Sequence, residues 1–112
     1  MATSKNPPGL RRTNDPPLLI LMSLASGPKH GHALSKDVEE FAGVRLGPGA
    51  LYGAITRLEE QGLIEPLDAV DRRRPYRITA LGSEQLRVQI RSMRRLTEVA
   101  SSRLGQTSGA HA

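Results

Sequence analysis

The sequence lacks cysteine and tryptophan, and only three of its 112 residues are aromatic. Without cysteine the chain has no disulfide, no thiolate metal ligand and no cysteine nucleophile, as is typical of proteins in a reducing compartment. RNA-binding sheets stack bases on several aromatic side chains. We therefore do not expect such a sheet here. The three aromatic residues are Phe41, Tyr52 and Tyr76.

Long apolar segments are also missing. The longest apolar run, Leu18 to Met22, is far shorter than the ~20 residues that a membrane helix needs. Residues 1–15 lack the apolar region and the cleavage site of a signal peptide. We expect a cytoplasmic protein without a membrane partner. Binding of a basic last helix to a membrane surface is an alternative, but its apolar stripe fits a partner helix equally well.

Patterns typical of catalysis or metal binding are absent from the sequence. No serine or threonine lies in a recognisable arrangement with histidine and a carboxylate, and no glycine-rich loop ends in Lys-Ser or Lys-Thr. His30 and His32 have no third ligand near them in sequence. The sequence predicts no enzyme activity, no metal and no cofactor.

Positive charge is what the sequence has in excess. Lysine and arginine number 16 against 11 acidic residues, which gives a net charge of +5. This balance favours a polyanionic partner, with nucleic acid ahead of an anionic membrane. A chain of this length forms one domain with a modest core, which often gains stability from a second subunit.

Helix signals begin after an arm rich in proline, glycine and charge. The arm, residues 1–15, is predicted to be flexible. Asp15 is predicted to cap a first apolar helix that ends at a Ser-Gly-Pro stop, residues 26–28. A second helix is predicted over residues 31–42, with Phe41 on its buried face.

The third helix is predicted to follow the Gly-Pro-Gly turn at 47–49. Leu51, Ile55 and Leu58 recur at helical spacing and form its buried stripe. Gly62 is well placed to end the helix.

A hairpin and a long last helix complete the pattern. Strands are predicted at 65–70 and around Tyr76 and Ile78, with a turn at 71–74, and Thr79 is predicted to cap the last helix. The fold class is therefore mostly α with a small β-hairpin. Three helices and a two-stranded wing make a winged helix-turn-helix domain, residues 16–79.

The last helix, residues 80–105, has an apolar stripe too long for a small core to cover, and residues 106–112 are predicted to be a disordered tail. We expect the stripe to pair with the same helix of a second chain, or else to cover its own core. Its arginines are predicted to be a solvated face. The residues of the apolar stripe, which form the predicted dimer interface, are Leu86, Ile90, Met93, Leu96, Ala100 and Leu104.

In a winged helix the third helix enters the major groove of DNA and the wing reaches phosphates or a flanking groove. The third helix offers small or hydrogen-bonding groups at Gly49, Ala50, Gly53 and Thr56. Inside a helix, glycine at position 53 costs about 1 kcal/mol relative to alanine. Arg57 is predicted to read guanine, or alternatively to pair with Glu60. Tyr52 is predicted to contact DNA, or alternatively to pack behind the helix.

Phosphate contacts are predicted at two further places. Arg72, Arg73 and Arg74 at the wing tip are predicted to contact phosphates or the minor groove, unless they only form a solvated turn near Asp68 and Asp71. Arg77 in the wing is also predicted to contact DNA. Lys29 and His30 at the start of the second helix are predicted to hold a phosphate, and simple capping of the helix is the alternative.

Three stretches resemble the PadR family of bacterial transcriptional regulators, over about residues 18–82: LASGPKHGHAL, PGALYGAITRLEEQGLI and RRRPYRITALG. The resemblance implies a homodimer joined through the C-terminal helices and bound to a palindromic operator in double-stranded DNA. It also implies repression, relieved in many members by a small phenolic or drug-like effector. The sequence departs from the family at His32, where tyrosine is common, at Gly53, where proline often stands, and in lacking tryptophan on the last helix.

The sequence thus predicts a dimeric winged-helix repressor of transcription. One alternative is a winged-helix module that binds a protein and not DNA, but an acidic or apolar wing would suit it better than arginines 72–74. A small enzyme is the third hypothesis, and the missing nucleophile arrangement disfavours it.

Overall fold

The computed structural model describes residues 15–109 as four helices and a three-stranded antiparallel sheet. The predicted arm, apart from Asp15, and residues 110–112 lie outside the described residues. In chain order the elements are α1 (Pro16–Leu24), β1 (Lys29–His30), α2 (Gly31–Ala42), α3 (Pro48–Glu60), β2 (Ile64–Pro66), β3 (Pro75–Ile78) and α4 (Ala80–Gly109).

Helix α1 lies at the centre of the core, since it contacts α2, α3, β3 and α4. Ile20 and Leu24 on this helix are almost completely buried. Leu51, Ile55 and Leu58 of α3 are buried as their spacing predicts. Burial of an aliphatic side chain of this size contributes about 1.5–3 kcal/mol, so this cluster is the main source of stability.

Two details of the helices differ from the predictions. Asp15 precedes α1 but makes no capping hydrogen bond with its side chain. The prolines at 16 and 17 remove the N–H groups nearest to it, so less remains to cap. Phe41 is 47% exposed because the buried line of α2 passes through Leu34 and Val38 and continues to Ala42.

The sheet has one more strand than the predicted two-stranded wing. Lys29 and His30 pair with Tyr76 and Pro75, so β3 lies between β1 and β2. We call the hairpin from β2 to β3, residues 64–78, the wing.

Strand β2 is shorter than the predicted strand, residues 65–70, and ends at Pro66. Leu67 donates its N–H to the Pro75 carbonyl at 2.8 Å. Pro75 has no N–H to return the bond, and the ladder stops there.

The wing tip is a turn of two residues, Asp71 and Arg72. Val70 and Arg73 on either side exchange two backbone hydrogen bonds of 2.7 and 2.9 Å. Asp71 and Arg72 have φ of 51° and 65°, as a type I′ turn requires. Residues other than glycine rarely adopt this left-handed backbone conformation. It costs about 1–3 kcal/mol per residue and persists mainly at functional positions.

A hydrogen-bonded junction joins the end of α3 to the start of α4, as the predicted cap at Thr79 requires. The Thr79 N–H donates to the Leu63 carbonyl at 3.0 Å, and its hydroxyl donates to the Gly62 carbonyl at 2.7 Å. The same hydroxyl accepts the Gly82 N–H at 3.0 Å. Gly82 packs so closely on Leu63 that a Cβ atom would lie 2.1 Å from its carbonyl oxygen. The wing, α3 and α4 therefore meet at one rigid point.

Helix α4 continues to Gly109, beyond the predicted end at residue 105. Leu86 is only 6% exposed, and Ile90 and Met93 pack partly against the core of their own chain. Leu86 is therefore a core residue, and the predicted subunit interface narrows to the distal half of the helix. There Leu96 and Leu104 are 66% and 70% exposed.

Candidate nucleic-acid interface

One face of α3 is open to solvent, opposite the buried stripe. Tyr52 is 50% exposed, and Thr56 and Arg57 are exposed as well. A Cβ atom added at Gly49 or Gly53 would meet nothing within 4 Å. These glycines do not serve contacts within the described part of the chain. They leave a low surface on which another molecule can approach the helix backbone.

The polar side chains of this face point outward. The Thr56 hydroxyl donates to the Tyr52 carbonyl at 2.9 Å, which leaves its oxygen able to accept a bond from outside. Among residues 15–109 no ion pair joins Arg57 to Glu60, the alternative partner suggested by the sequence. Arg57 is available in the last turn of α3, where a cation is favoured by the helix dipole.

Tyr52 connects α3 to the start of α2. A Cβ atom at Gly31 would lie 2.4 Å from the Tyr52 hydroxyl oxygen, so the phenol lies directly against the first residue of α2. Half of the side chain remains exposed. The two predicted roles of Tyr52, packing and contact with a partner, are therefore both compatible with its position.

The wing tip carries exposed arginines. Arg72, Arg73 and Arg74 are all exposed. Arg74 donates one bond to the Leu67 carbonyl at 2.9 Å. Within the described chain, none of the three pairs with a carboxylate. Their charge is directed to solvent.

Arg77 differs from the tip arginines because its charge is compensated. Its guanidinium donates from Nε to Glu65 Oε2 at 2.9 Å and from Nη2 to the same oxygen. The two residues face each other across β2 and β3. The positive charge of the wing is thus concentrated at its tip.

Lys29, predicted to hold a phosphate together with His30, is bonded within the protein. Its ammonium group donates to the Ser23 carbonyl at 2.6 Å and to the Ser26 hydroxyl at 2.8 Å, and lies 3.9 Å from Asp37. The buried Ser23 hydroxyl also donates to Asp37, at 2.6 Å. Pairing of β1 with β3 turns Lys29 toward this network, which ties β1 to α1 and α2.

His30 is the N-cap of α2, the alternative role considered for it. Its Nδ1 accepts the Ala33 N–H at 3.3 Å. The ring of His32 is stacked on it, with centroids 6.4 Å apart.

A cleft of about 200 Å³ lies where the start of α2, α3 and the wing meet. It is lined by His30, Gly31, His32, Tyr52, Tyr76 and arginines 72–74. His32 and Tyr76 are not among the DNA-contact residues predicted from the sequence. In the sequence, His32 stands out only by its departure from the family pattern and by its spacing from His30, which was weighed for metal binding, and Tyr76 was placed in a strand.

Burial raises the pKa of the Tyr76 hydroxyl above its ordinary value, and Glu59 and Tyr52 add to this rise. Arg74 opposes it. Tyr76 therefore stays protonated, and able to donate a hydrogen bond, throughout the physiological pH range.

The described residues offer neither a metal site nor a membrane span. Between residues 15 and 109 no three histidine or acidic side chains lie together as metal ligands would. In the same range, no helix has the length and apolar character needed to cross a bilayer.

Comparison with known proteins gives consistent results. The sequence model of the Transcriptional regulator PadR-like family matches residues 20–88. A PadR family transcription regulator from hypervirulent Clostridium difficile is 26% identical, with a TM-score of 0.72 over 80% of this chain and 97% of that one. A transcriptional regulator from Clostridium thermocellum is also 26% identical, with a TM-score of 0.69 over 77% and 89% of the two chains.

A protein of transposon TN4556 from Streptomyces fradiae, described as an uncharacterized 37.1 kDa protein, is 48% identical over 86 residues. Those residues are 77% of this chain but only 25% of that relative's length. The family match, by contrast, extends from α1 into α4 and includes α3 and the wing. The chain belongs to the PadR-like family, whose members are transcriptional regulators and not enzymes.

Proposed function

We propose that this protein regulates transcription by binding a specific site in double-stranded DNA. The observation that carries the proposal is the open face of α3, with its two uncovered glycines, beside a wing whose tip arginines pair with no carboxylate among residues 15–109. A low helix surface suits the major groove, and exposed arginines that no described carboxylate neutralises suit the phosphate backbone.

In the proposed complex, α3 lies in the major groove and Arg57 reads a guanine edge. Tyr52 and Thr56 contact the backbone or bases beside it, and Arg72 and Arg73 neutralise phosphates. Lys29 has no part in this complex because its ammonium group is used inside the protein. Arg77 would contribute only after leaving Glu65.

We further propose that two copies associate through the distal half of α4. Leu96, Val99, Ala100 and Leu104 form its exposed apolar surface, and nothing in the described chain covers them. A dimer with twofold symmetry would bind a palindromic operator. Repression would follow from occupying that operator, and a small-molecule effector would release it by changing the angle between the two DNA-binding heads.

The double substitution Leu96→Glu and Leu104→Glu is expected to dissociate this dimer. Each leucine gives about 1.5–3 kcal/mol on burial, so the loss of both should weaken self-association at least about a hundredfold. Light scattering after gel filtration measures the mass, and circular dichroism checks that the heads stay folded. Ser102→Glu, on the polar side of α4, serves as the control and should remain dimeric. A double variant as dimeric as the wild type would refute this interface.

Substitution of Gly53 by alanine is expected to stabilise the protein and weaken DNA binding at the same time. Alanine gains about 1 kcal/mol in a helix interior, and no neighbour obstructs its methyl group. The methyl group would, however, hold α3 away from the groove, with an affinity loss of about tenfold.

Gly105→Ala is the matched control for Gly53→Ala, because it also has open space around it and lies on α4. Thermal unfolding and fluorescence anisotropy with DNA are measured on both variants. Equal DNA affinity for Gly53→Ala and the wild type would show that α3 does not closely approach DNA at this position.

The proposed function is tested by titrating the purified protein into its own upstream intergenic DNA and into a scrambled duplex, at several salt concentrations. We expect salt-dependent binding with roughly a hundredfold or greater preference for the native sequence. Equal binding to both duplexes would contradict sequence-specific regulation. Absence of binding at low salt would favour the alternative, a winged-helix module that binds a protein.

A further inference from the structure

The cleft between the start of α2, α3 and the wing brings together side chains from three distant parts of the sequence. His30 and His32 come from the first part, Tyr52 from the second, and Tyr76 with arginines 72–74 from the wing. With a volume of about 200 Å³, it is a small hollow that can accept a single chemical group.

The groups that line this cleft are hydrogen-bond donors. Nδ1 of His30 accepts the Ala33 N–H, so the neutral ring carries its proton on Nε2, which is a donor. Arginine has donors only, and a protonated phenol can donate. The pKa of Tyr76 is raised, which keeps that phenol protonated.

No carboxylate lines the cleft in the described part of the chain. The nearest hollow, lined by Asp71 with Val70 and Pro75, shares His30 and Arg73 with the cleft, so the Asp71 carboxylate lies beside the cleft and not in it. Glu65 is bonded to Arg77 on the strands. Arg74 uses one nitrogen on the Leu67 carbonyl and keeps its others. A cleft lined by donors and positive charge, with no carboxylate among its lining residues, suits an anion from outside.

We propose that this cleft is an oxyanion pocket that holds one tetrahedral phosphate group from three sides. The phosphate has two sources, a backbone phosphate of DNA or a free phosphate compound such as pyrophosphate. For the DNA phosphate, the pocket presupposes the DNA binding proposed above, and it makes α2, α3 and the wing contact the same nucleotide. A free phosphate compound would then compete with DNA directly.

Pyrophosphate is the probe for the free source. Titration at constant ionic strength, with sodium chloride as the balancing salt, should shift the NMR ring signals of His30 and His32 in a saturable way. Arg73→Gln should abolish the saturation, whereas Arg91→Gln, which removes the same charge from α4, should leave it intact. Pyrophosphate should also displace DNA from the wild type more than sodium chloride of equal ionic strength does.

The DNA source is tested with duplexes in which one backbone phosphate at a time is replaced by a neutral methylphosphonate. One position in each half-site should weaken wild-type binding about tenfold, the value of one charge-assisted contact. In the Arg73→Gln variant, the same phosphate replacement should cause no further loss of DNA affinity. Saturable pyrophosphate binding supports a free phosphate compound as the source. A single phosphate whose neutralisation weakens binding of the wild type, but not of Arg73→Gln, supports DNA as the source.

If the wild type binds its DNA but shows neither saturable pyrophosphate binding nor a sensitive phosphate position, the oxyanion pocket is overturned. The proposed function would still stand. A wild type that binds no duplex but shows the histidine shifts with pyrophosphate would contradict the proposed function and support the pocket. The pocket would then stand without the proposed DNA function.

Discussion

Replacing Arg72 and Arg73 together by glutamine is expected to weaken DNA binding by about a hundredfold and to lower the salt slope by nearly two. Both side chains are exposed and lack a carboxylate partner in the described chain, so their full charge is available to phosphates. Each neutralised phosphate releases counterions and contributes about 0.9 to the slope of log K against log salt. The loss should be similar for native and scrambled DNA, because phosphate contacts carry no sequence information.

Fluorescence anisotropy from low to high salt measures both quantities. Glutamine keeps the length of the side chain, and residue 72 stays a non-glycine residue in the left-handed turn, so the wing conformation should not change. Arg91→Gln with Arg95→Gln removes the same charge from α4 and is the control. If both pairs of substitutions lower affinity and slope equally, the overall field of the protein and not the wing drives binding.

Replacing Gly82 by alanine is expected to destabilise the fold by about 3 kcal/mol, which lowers Tm by about 15 °C in a domain of this size. The new Cβ atom would lie 2.1 Å from the Leu63 carbonyl oxygen and 2.8 Å from Cγ1 of Ile78. The carbonyl oxygen already accepts the Thr79 N–H. It belongs to the backbone and cannot move aside as a flexible side chain would, so the first turn of α4 must shift.

Thermal and urea unfolding of Gly82→Ala, with Gly105→Ala beside it, measure this effect. Both variants add one methyl group to α4, but only position 82 faces backbone atoms. A Tm for Gly82→Ala within a degree or two of the wild type would mean that α4 does not pack on Leu63 as described.

Much of the fold could be predicted because the sequence marks its own boundaries. Helix α2 has the bounds expected from its flanking glycines, and Gly43 after it has the left-handed φ of 68° typical of a helix end. The exposed face of α3 also follows from the sequence, since a helix that buries Leu51, Ile55 and Leu58 must expose the residues between them. Thr79 caps α4, as a threonine directly before a helix predicts.

Other features depend on contacts that no local pattern contains. Strand β1 has two residues, too few for any periodicity, and the bonds of Lys29 to Ser23 and Ser26 depend on where this strand pairs with β3. The apolar stripe of α4 is continuous, so the sequence could not show that Leu86 covers its own core while Leu96 lies open. The cleft joins three distant segments and becomes visible only in three dimensions.

The junction at Thr79 and Gly82 has a consequence for how operator spacing is set. Because it fixes the start of α4 to the end of α3, the direction in which α3 points is tied to the rotational phase of α4. A residue inserted into α4 between Leu86 and Leu96 would turn the DNA-binding head by about 100° relative to the dimer surface, since each residue of an α-helix advances by that angle. In the proposed homodimer, the number of residues in this part of α4 therefore specifies the distance and the orientation between half-sites. Base-reading side chains on α3 determine the sequence of each half-site, and the length of α4 determines the distance between the two half-sites.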